Sequence, residues 1–183
     1  VASVLHGGLI LVNNCENYNV INLPAPDNLL AVVHHPLIEI KTSESRSVLP
    51  KTVDINIASQ QLASIGGFIH SLHTENFDLM RLVLKDYLVE EYRAHHVPLF
   101  REIKKIADSN NVICCSISGS GPSVFSLVDG YNKAQELKLI CLIVLENLIY
   151  SLQKLEIAEP NADKNFILSD GEIVYAYASQ VYG

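Results

Sequence analysis

The sequence predicts an α+β fold in which helices cover one face of a mostly antiparallel sheet, and three stretches predict it. Val112 to Cys115 and Val124 to Val128 are short runs of β-branched and apolar residues, joined by Ser116-Ile-Ser-Gly-Ser-Gly-Pro-Ser123. They read as two buried strands and their loop. Asn132 to Glu156 repeats Leu137, Ile140, Cys141, Val144, Leu148, Leu152 and Leu155 at helical spacing, so one long amphipathic helix must cover that sheet. Upstream, Leu29 to Val33 has strand character and is separated from the other two runs by helical patterns.

From the start of the chain, Leu9 to Val12 is an apolar run of strand type, and Tyr18 to Leu23 is a second, ended by the turn cluster Pro24, Pro26 and Asp27. Leu29 to Val33 and Leu37 to Ile40 read as one long strand interrupted at His34-His35-Pro36, because proline cannot donate to a ladder. Thr42 to Pro50 is polar and holds a short helical turn. Asn56 is expected to cap a helix whose Ile57, Leu62, Ile65, Ile69 and Leu72 share a buried face, with Gly66-Gly67 permitting close packing. Phe77 to Leu88 is a second helix. Pro98 is expected to open a third, with Leu99, Ile103 and Ile106 as its buried stripe. Phe166 to Leu168 and Ile173 to Ala178 close the chain as a hairpin through Ser169-Asp170-Gly171-Glu172. This order fits a ferredoxin-like arrangement.

Composition narrows the function. Hydrophobic residues make up 49% of the chain and charged residues 18%, greasy enough to predict apolar surface that meets another domain or subunit, a homo-oligomer included. A net charge of −7 with no basic stretch interleaved with aromatics argues against nucleic acid and anionic membranes as partners. The apolar run Leu139 to Leu145 is too short to span a bilayer, and the first residues lack a signal-peptide pattern, which predicts a cytoplasmic protein. Cys15, Cys114, Cys115 and Cys141 have no Cys-x-x-Cys spacing and read as reduced thiols near the core. His34 and His35 point to opposite faces of a strand, which disfavours a shared metal.

The Ser/Gly loop carries the chemical interest. Gly119 and Gly121 can take positive φ, Ser118, Ser120 and Ser123 add hydroxyls, and Pro122 stiffens the exit, all of which suits an anion. The same composition also makes an ordinary turn. The loop lacks the Gly-Lys-Ser/Thr of a P-loop and leads into a strand, so no helix N-terminus faces a phosphate. Asp86, Glu90, Glu91, Arg93, His95 and His96 are likewise open to two readings, an acid/base cluster or a solvated helix end.

Ser116-Ile-Ser-Gly-Ser-Gly-Pro-Ser-Val-Phe-Ser-Leu127 resembles the third motif of the GHMP kinases, and its wording is most similar to the homoserine kinases. Two further segments are similar to the same family. Thr42, Arg46, Leu49 and Pro50 match Thr-x-x-Ala-Arg-x-x-Leu-Pro, with Ser45 in place of alanine. Asp86, Glu90, Arg93, Pro98 and Phe100 match Asp-x-x-x-Glu-Pro-x-Arg-x-x-x-Ile-Pro-Gly-Phe, with Glu91 in place of proline and Leu99 in place of glycine. The opening Val-Ala also resembles a family stretch that follows an Asp-Asn pair.

The resemblance covers roughly residues 1 to 130 and implies that residues 1–27 are the last strands of the family's N-terminal domain and 28–183 its ferredoxin-like C-terminal domain. It implies phosphorylation of the side-chain hydroxyl of L-homoserine by ATP and Mg²⁺ in threonine biosynthesis. Arg46, Arg93 and Thr42 would lie on the substrate side, and Ser118, Gly119, Ser120, Gly121, Pro122 and Ser123 on the phosphate side. The family's main phosphate loop and its Mg²⁺ carboxylates have no counterpart in this sequence. They are expected in the N-terminal half that precedes this stretch, without which the chain is expected to be inactive. A non-catalytic ferredoxin-like amino-acid-binding module and another GHMP kinase, such as a mevalonate kinase, are the competing readings.

Overall fold

The computed structural model describes residues 7–14, 19–36, 38–155, 166–169 and 174–177, with no side chains described for 13–14, 145–155, 166–169 and 174–177. Cys15, Tyr18, Leu37 and the turn through Asp170-Gly171-Glu172 lie outside them. Strands β1 (Leu9–Asn14) and β2 (Asn19–Leu23) pair antiparallel as a ladder of their own. The main sheet has β5 (Val124–Asp129) at its centre, antiparallel to β3 (Leu29–His34) on one side and β4 (Cys114–Ile117) on the other. β6 (Phe166–Ser169) pairs with β7 (Val174–Tyr177) and lies alongside β3. The order across the layer is therefore β6, β3, β5, β4, as in a ferredoxin-like fold.

Between β3 and β4 the chain forms α1 (Thr42–Ser47), α2 (Ile55–His73), α3 (Phe77–Val83), α4 (Glu90–Arg93) and α5 (Phe100–Ser109), and α6 (Tyr131–Leu155) follows β5. The register sets Val32, Ser126 and Cys115 side by side on one sheet face, with Leu30 and Val128 next along it. That face meets Phe100, Ile103 and Ala107 of α5 and Leu137 and Cys141 of α6 in the main core. Burying a side chain such as Phe100 contributes on the order of 1.5–3 kcal/mol. Leu29 and Leu127, on the opposite face, join Leu72, Met80, Phe68 and Ile113 in a smaller core that also takes in Leu9 and Leu23 of the separate hairpin.

Several elements differ from expectation, each for a local reason. The long strand stops at His34, and residues 38–40 are not strand, because Pro36 has no N–H and its carbonyl accepts from Ile38 N at 2.8 Å in a tight turn. β4 starts two residues later than Val112, at Cys114. Asp54, not Asn56, caps α2, accepting from Asn56 N at 2.7 Å. The second helix ends at Val83 instead of Leu88. Beyond it Asp86 Oδ1 accepts from the N–H groups of both Leu88 and Val89 at 2.8 Å, and Tyr87 N donates to Gln61, which holds the chain for α4. α5 begins at Phe100 after Leu99, not at Pro98, and Leu99 sits at φ 59°, a left-handed position that suits the glycine it replaces.

The expected buried face of α2 is largely exposed: Leu62 is 70% and Ile65 40% accessible, and of its five residues Leu72 alone is fully buried. The glycine expectation holds at Gly67, where a Cβ would lie 2.8 Å from Val83 Cγ1, and not at Gly66, which faces open space.

Two polar features sit in this framework. Burial draws the Lys104 ammonium down, but the hydrogen bond and charge of Glu90 at 2.9 Å outweigh it, leaving the pKa above its ordinary value. Lys104 Nζ also donates to Cys115 O at 2.8 Å, and Arg81 Nε donates to Val112 O at 3.1 Å. Burial, aided by the neighbouring His35, lowers the His34 imidazole from 6.5 to about 4.

Between those two values the unfolded chain binds a proton that the fold refuses, so stability rises with pH from 4 to 6.5 and is lost on acidification through that window. The loss attributable to His34 is expected to be roughly 1–2 kcal/mol, discounted because the ring is not fully enclosed. Urea unfolding at pH 7, 5.5 and 4.5 checks it, with His34→Gln flattening the curve.

Candidate functional site

The loop between β4 and β5 is built by its own hydrogen bonds. Ser118 N donates to Ser123 O at 2.8 Å and Gly121 N to Ser118 O at 3.0 Å, which closes a turn within the loop. Gly119 (φ 58°) and Gly121 (φ 81°) are both in the left-handed region, and the Gly121–Pro122 peptide is cis. Pro122 is buried, Ser118 and Gly119 are exposed, and Ser120, Gly121 and Ser123 are half-buried. The two glycines are not equivalent. A Cβ on Gly119 would meet nothing within 4 Å, whereas one on Gly121 would lie 2.9 Å from Val97 Cγ2.

Three separate segments hold this loop. Ser45 of α1, 1% accessible, donates its hydroxyl to Ser120 O at 2.9 Å. Arg93, at the end of α4, donates Nη1 to Gly119 O and Nε to Ser45 O, the latter at 3.4 Å. His35, just past β3, shares a hydrogen bond with Ser123 through Nδ1 and Oγ at 2.7 Å. The amide groups of Gly119 and Ser120 have no partner among the described residues. Two successive N–H groups at a left-handed glycine are thus left as unused donors.

The structure thus brings the loop, α1 and α4 together, and it separates the roles of the two arginines. Arg93 already serves two backbone carbonyls. Arg46, the residue after Ser45, is exposed and has no side-chain partner among the described residues, so its planar donor fork is available to a carboxylate. Thr42, the first residue of α1, is exposed as well. Of the charged residues near α4, Glu90 is taken by Lys104, Glu91 by Arg101 at 3.2 Å, and Asp86 by backbone N–H groups.

Sequence reasoning missed His35 and Ser45. His35 drew notice only as half of a pair, and Ser45 only as a substitute for alanine; a polar residue in a tract otherwise matching an arginine motif was the available signal. Burial pushes the thiol of Cys114 up to about 12 and those of Cys115 and Cys141 to about 11, so these free cysteines stay protonated at neutral pH. Among the described residues no group of three or more His, Cys, Asp or Glu is placed to hold a metal ion, and no helix is long and apolar enough to cross a membrane.

The family described as GHMP kinases C terminal matches residues 68–142, a stretch that contains α4, α5 and the whole Ser/Gly loop. The homoserine kinase of Chlorobaculum tepidum is 37% identical over 134 residues, which is 73% of this chain and 41% of that protein. A crystal structure of homoserine kinase from Cytophaga hutchinsonii superposes with a TM-score of 0.72 at 36% identity, over 75% of this chain and 44% of that one. Streptococcus pneumoniae phosphomevalonate kinase shares the fold, with a TM-score of 0.53 at 11% identity, over 66% of this chain and 38% of its own. The chain spans about two fifths of the length of the relatives it matches. It belongs to the GHMP kinases, carrying their C-terminal domain, and is similar over that domain to the homoserine kinases.

Proposed function

We propose that this chain is the C-terminal portion of an ATP-dependent homoserine kinase, transferring the terminal phosphoryl group of ATP to the side-chain hydroxyl of L-homoserine on the route to threonine. One observation carries the reading. The Ser/Gly loop, with the free amides of Gly119 and Ser120, is fastened directly to the two arginine segments, so a phosphate cradle and a carboxylate clamp belong to one built unit. Phosphoryl transfer needs mostly positioning and charge stabilisation, which is what such a unit provides.

In this reading Arg46 binds the substrate carboxylate in bidentate fashion, with Thr42 beside it on the same helix. The amides of Gly119 and Ser120 donate to phosphate oxygens, and the hydroxyls of Ser118 and Ser123 flank them. Arg93 holds the loop against α1 and keeps its charge on the substrate side. Among the described residues no group of three or more His, Cys, Asp or Glu is placed to hold Mg²⁺; in this reading the metal and the main phosphate loop lie in the N-terminal half. The separate β1–β2 ladder supports assigning residues 1–27 to that half and 28–183 to the C-terminal domain.

The complete gene product is expected to release ADP in the presence of L-homoserine and not of mevalonate. The 183-residue chain alone is expected to release none. Homoserine-dependent turnover by the purified chain, or mevalonate-dependent turnover by the complete protein, would overturn the assignment. Binding of homoserine by a complete gene product that never consumes ATP would favour the amino-acid-binding module.

A further inference from the structure

Among the described residues, the helical serines other than Ser45 whose hydroxyls hydrogen-bond do so within their own helix. Ser47 donates to Glu44 O, Ser59 to Ile55 O, Ser71 to Phe68 O and Ser109 to Lys105 O, each three or four residues back along the chain. This local bond is the ordinary fate of a helical hydroxyl. Ser45 is the exception. The carbonyl four residues before it, Lys41 O, accepts from Ser45 N at 3.1 Å, while the Ser45 hydroxyl reaches Ser120 O, 75 residues away in sequence.

That acceptor lies at a sensitive point. Ser120 is flanked by Gly119 and Gly121, both at positive φ, and the peptide that follows Ser120 ends on the permissive Gly121. Gly119 O, one residue earlier, is held by Arg93, which also donates to the backbone carbonyl of Ser45. Ser45 thus touches the loop directly through its side chain and indirectly through its backbone, and it is almost fully enclosed while doing so. A buried hydroxyl with one long-range acceptor fixes the position of that acceptor.

We propose that Ser45 is a positioning residue: its hydroxyl, by holding Ser120 O, sets the pose in which the Gly119 and Ser120 amides face the transferred phosphate. The proposal rests on the kinase reading above and deepens it. Without the latch the loop keeps its internal turn and its link through Arg93 but loses its direct tie to α1, and donors that must be aimed before the reaction are less well preorganised. The arginine that meets the carboxylate is untouched, so binding of the amino acid and speed of transfer separate.

The test compares Ser45→Ala, Ser45→Cys and Ser47→Ala in the complete gene product. Kinetics with L-homoserine and ATP are read together with amide hydrogen exchange over residues 118–123. Ser45→Ala is expected to lower kcat roughly tenfold, to leave the homoserine KM within about twofold, and to speed loop exchange several-fold. Ser45→Cys, which keeps the volume and has only a weak donor, falls between it and the parent and serves if the alanine variant folds poorly. Ser47→Ala, whose hydroxyl bonds its own helix, behaves as the parent. Parental kcat in Ser45→Ala overturns the proposal, as does a rise in homoserine KM that accounts for the whole loss. If the parent itself does not phosphorylate homoserine, the kinase reading fails instead, and loop exchange equal to the parent then overturns the latch on its own.

Discussion

Gly121→Val is expected to destabilise the protein by roughly 2–5 kcal/mol and to abolish phosphoryl transfer by the complete gene product. Two costs combine. At φ 81° any L side chain is strained and a β-branched one most of all, and the new Cβ would lie 2.9 Å from Val97 Cγ2 in the main core. Val97 is itself 3% accessible and cannot swing into solvent. Gly119→Ala provides the contrast, because its Cβ enters open space and only the φ strain remains, about 1 kcal/mol. Urea unfolding of the two variants measures the difference directly; equal destabilisation would mean that the loop does not pack on Val97 as described. The alanine variant also separates chemistry from folding. If the Gly119 and Ser120 amides meet phosphate, its kcat falls while homoserine binding survives, whereas parallel loss of both would count against a phosphate-side role.

Arg46→Ala should raise the homoserine KM by one to two orders of magnitude, corresponding to about 1.5–3 kcal/mol for a charge-assisted pair, with the ATP KM little changed. Its stability should stay within about 0.5 kcal/mol of the parent, since the side chain is exposed and has no partner among the described residues. Arg93→Ala should behave differently. It deprives Gly119 O and Ser45 O of their donor, so about 1–3 kcal/mol of stability and part of kcat should go together with homoserine affinity. Steady-state kinetics in both substrates, with thermal unfolding alongside, tests the pair. An unchanged homoserine KM in Arg46→Ala would remove the carboxylate assignment.

The parts of this fold that were legible in the sequence are those whose signal is local. The run of β-branched and apolar residues from Val124 to Val128 identifies β5 as a buried strand, and the helical repeat from Leu137 to Val144 identifies α6, because a core that lies on one side of a helix imposes its period on the residues facing it. The Ser/Gly loop was legible for the same reason: positive φ at two places demands glycine at two places. What was not legible depends on partners distant in sequence. Leu79, Leu82, Val83 and Tyr87 keep helical spacing, yet the helix stops at Val83 because Asp86 and Gln61 claim the N–H groups beyond it. The apolar residues of α2 repeat correctly, but periodicity reveals a face and not what covers it, and Leu62 stays exposed. Neither the Ser45–Ser120 nor the His35–Ser123 bond leaves any periodic trace.

β4 lies at the outer edge of the main sheet, and along such an edge a row of backbone groups normally stands open to any other extended chain. Here a cationic side chain takes one position of that row, Cys115 O, and another takes Val112 O just before the strand. Lys104 sits on Cys115 O while its charge is held by Glu90, and Arg81 sits on Val112 O while pairing with Asp78 at 2.9 Å. A foreign strand could pair with Cys115 O only by displacing Lys104 and leaving Glu90 buried and alone, a penalty that grows with the burial of the carboxylate. The lysine that braces α5 against the sheet therefore also makes templated self-association costly at this point of the edge.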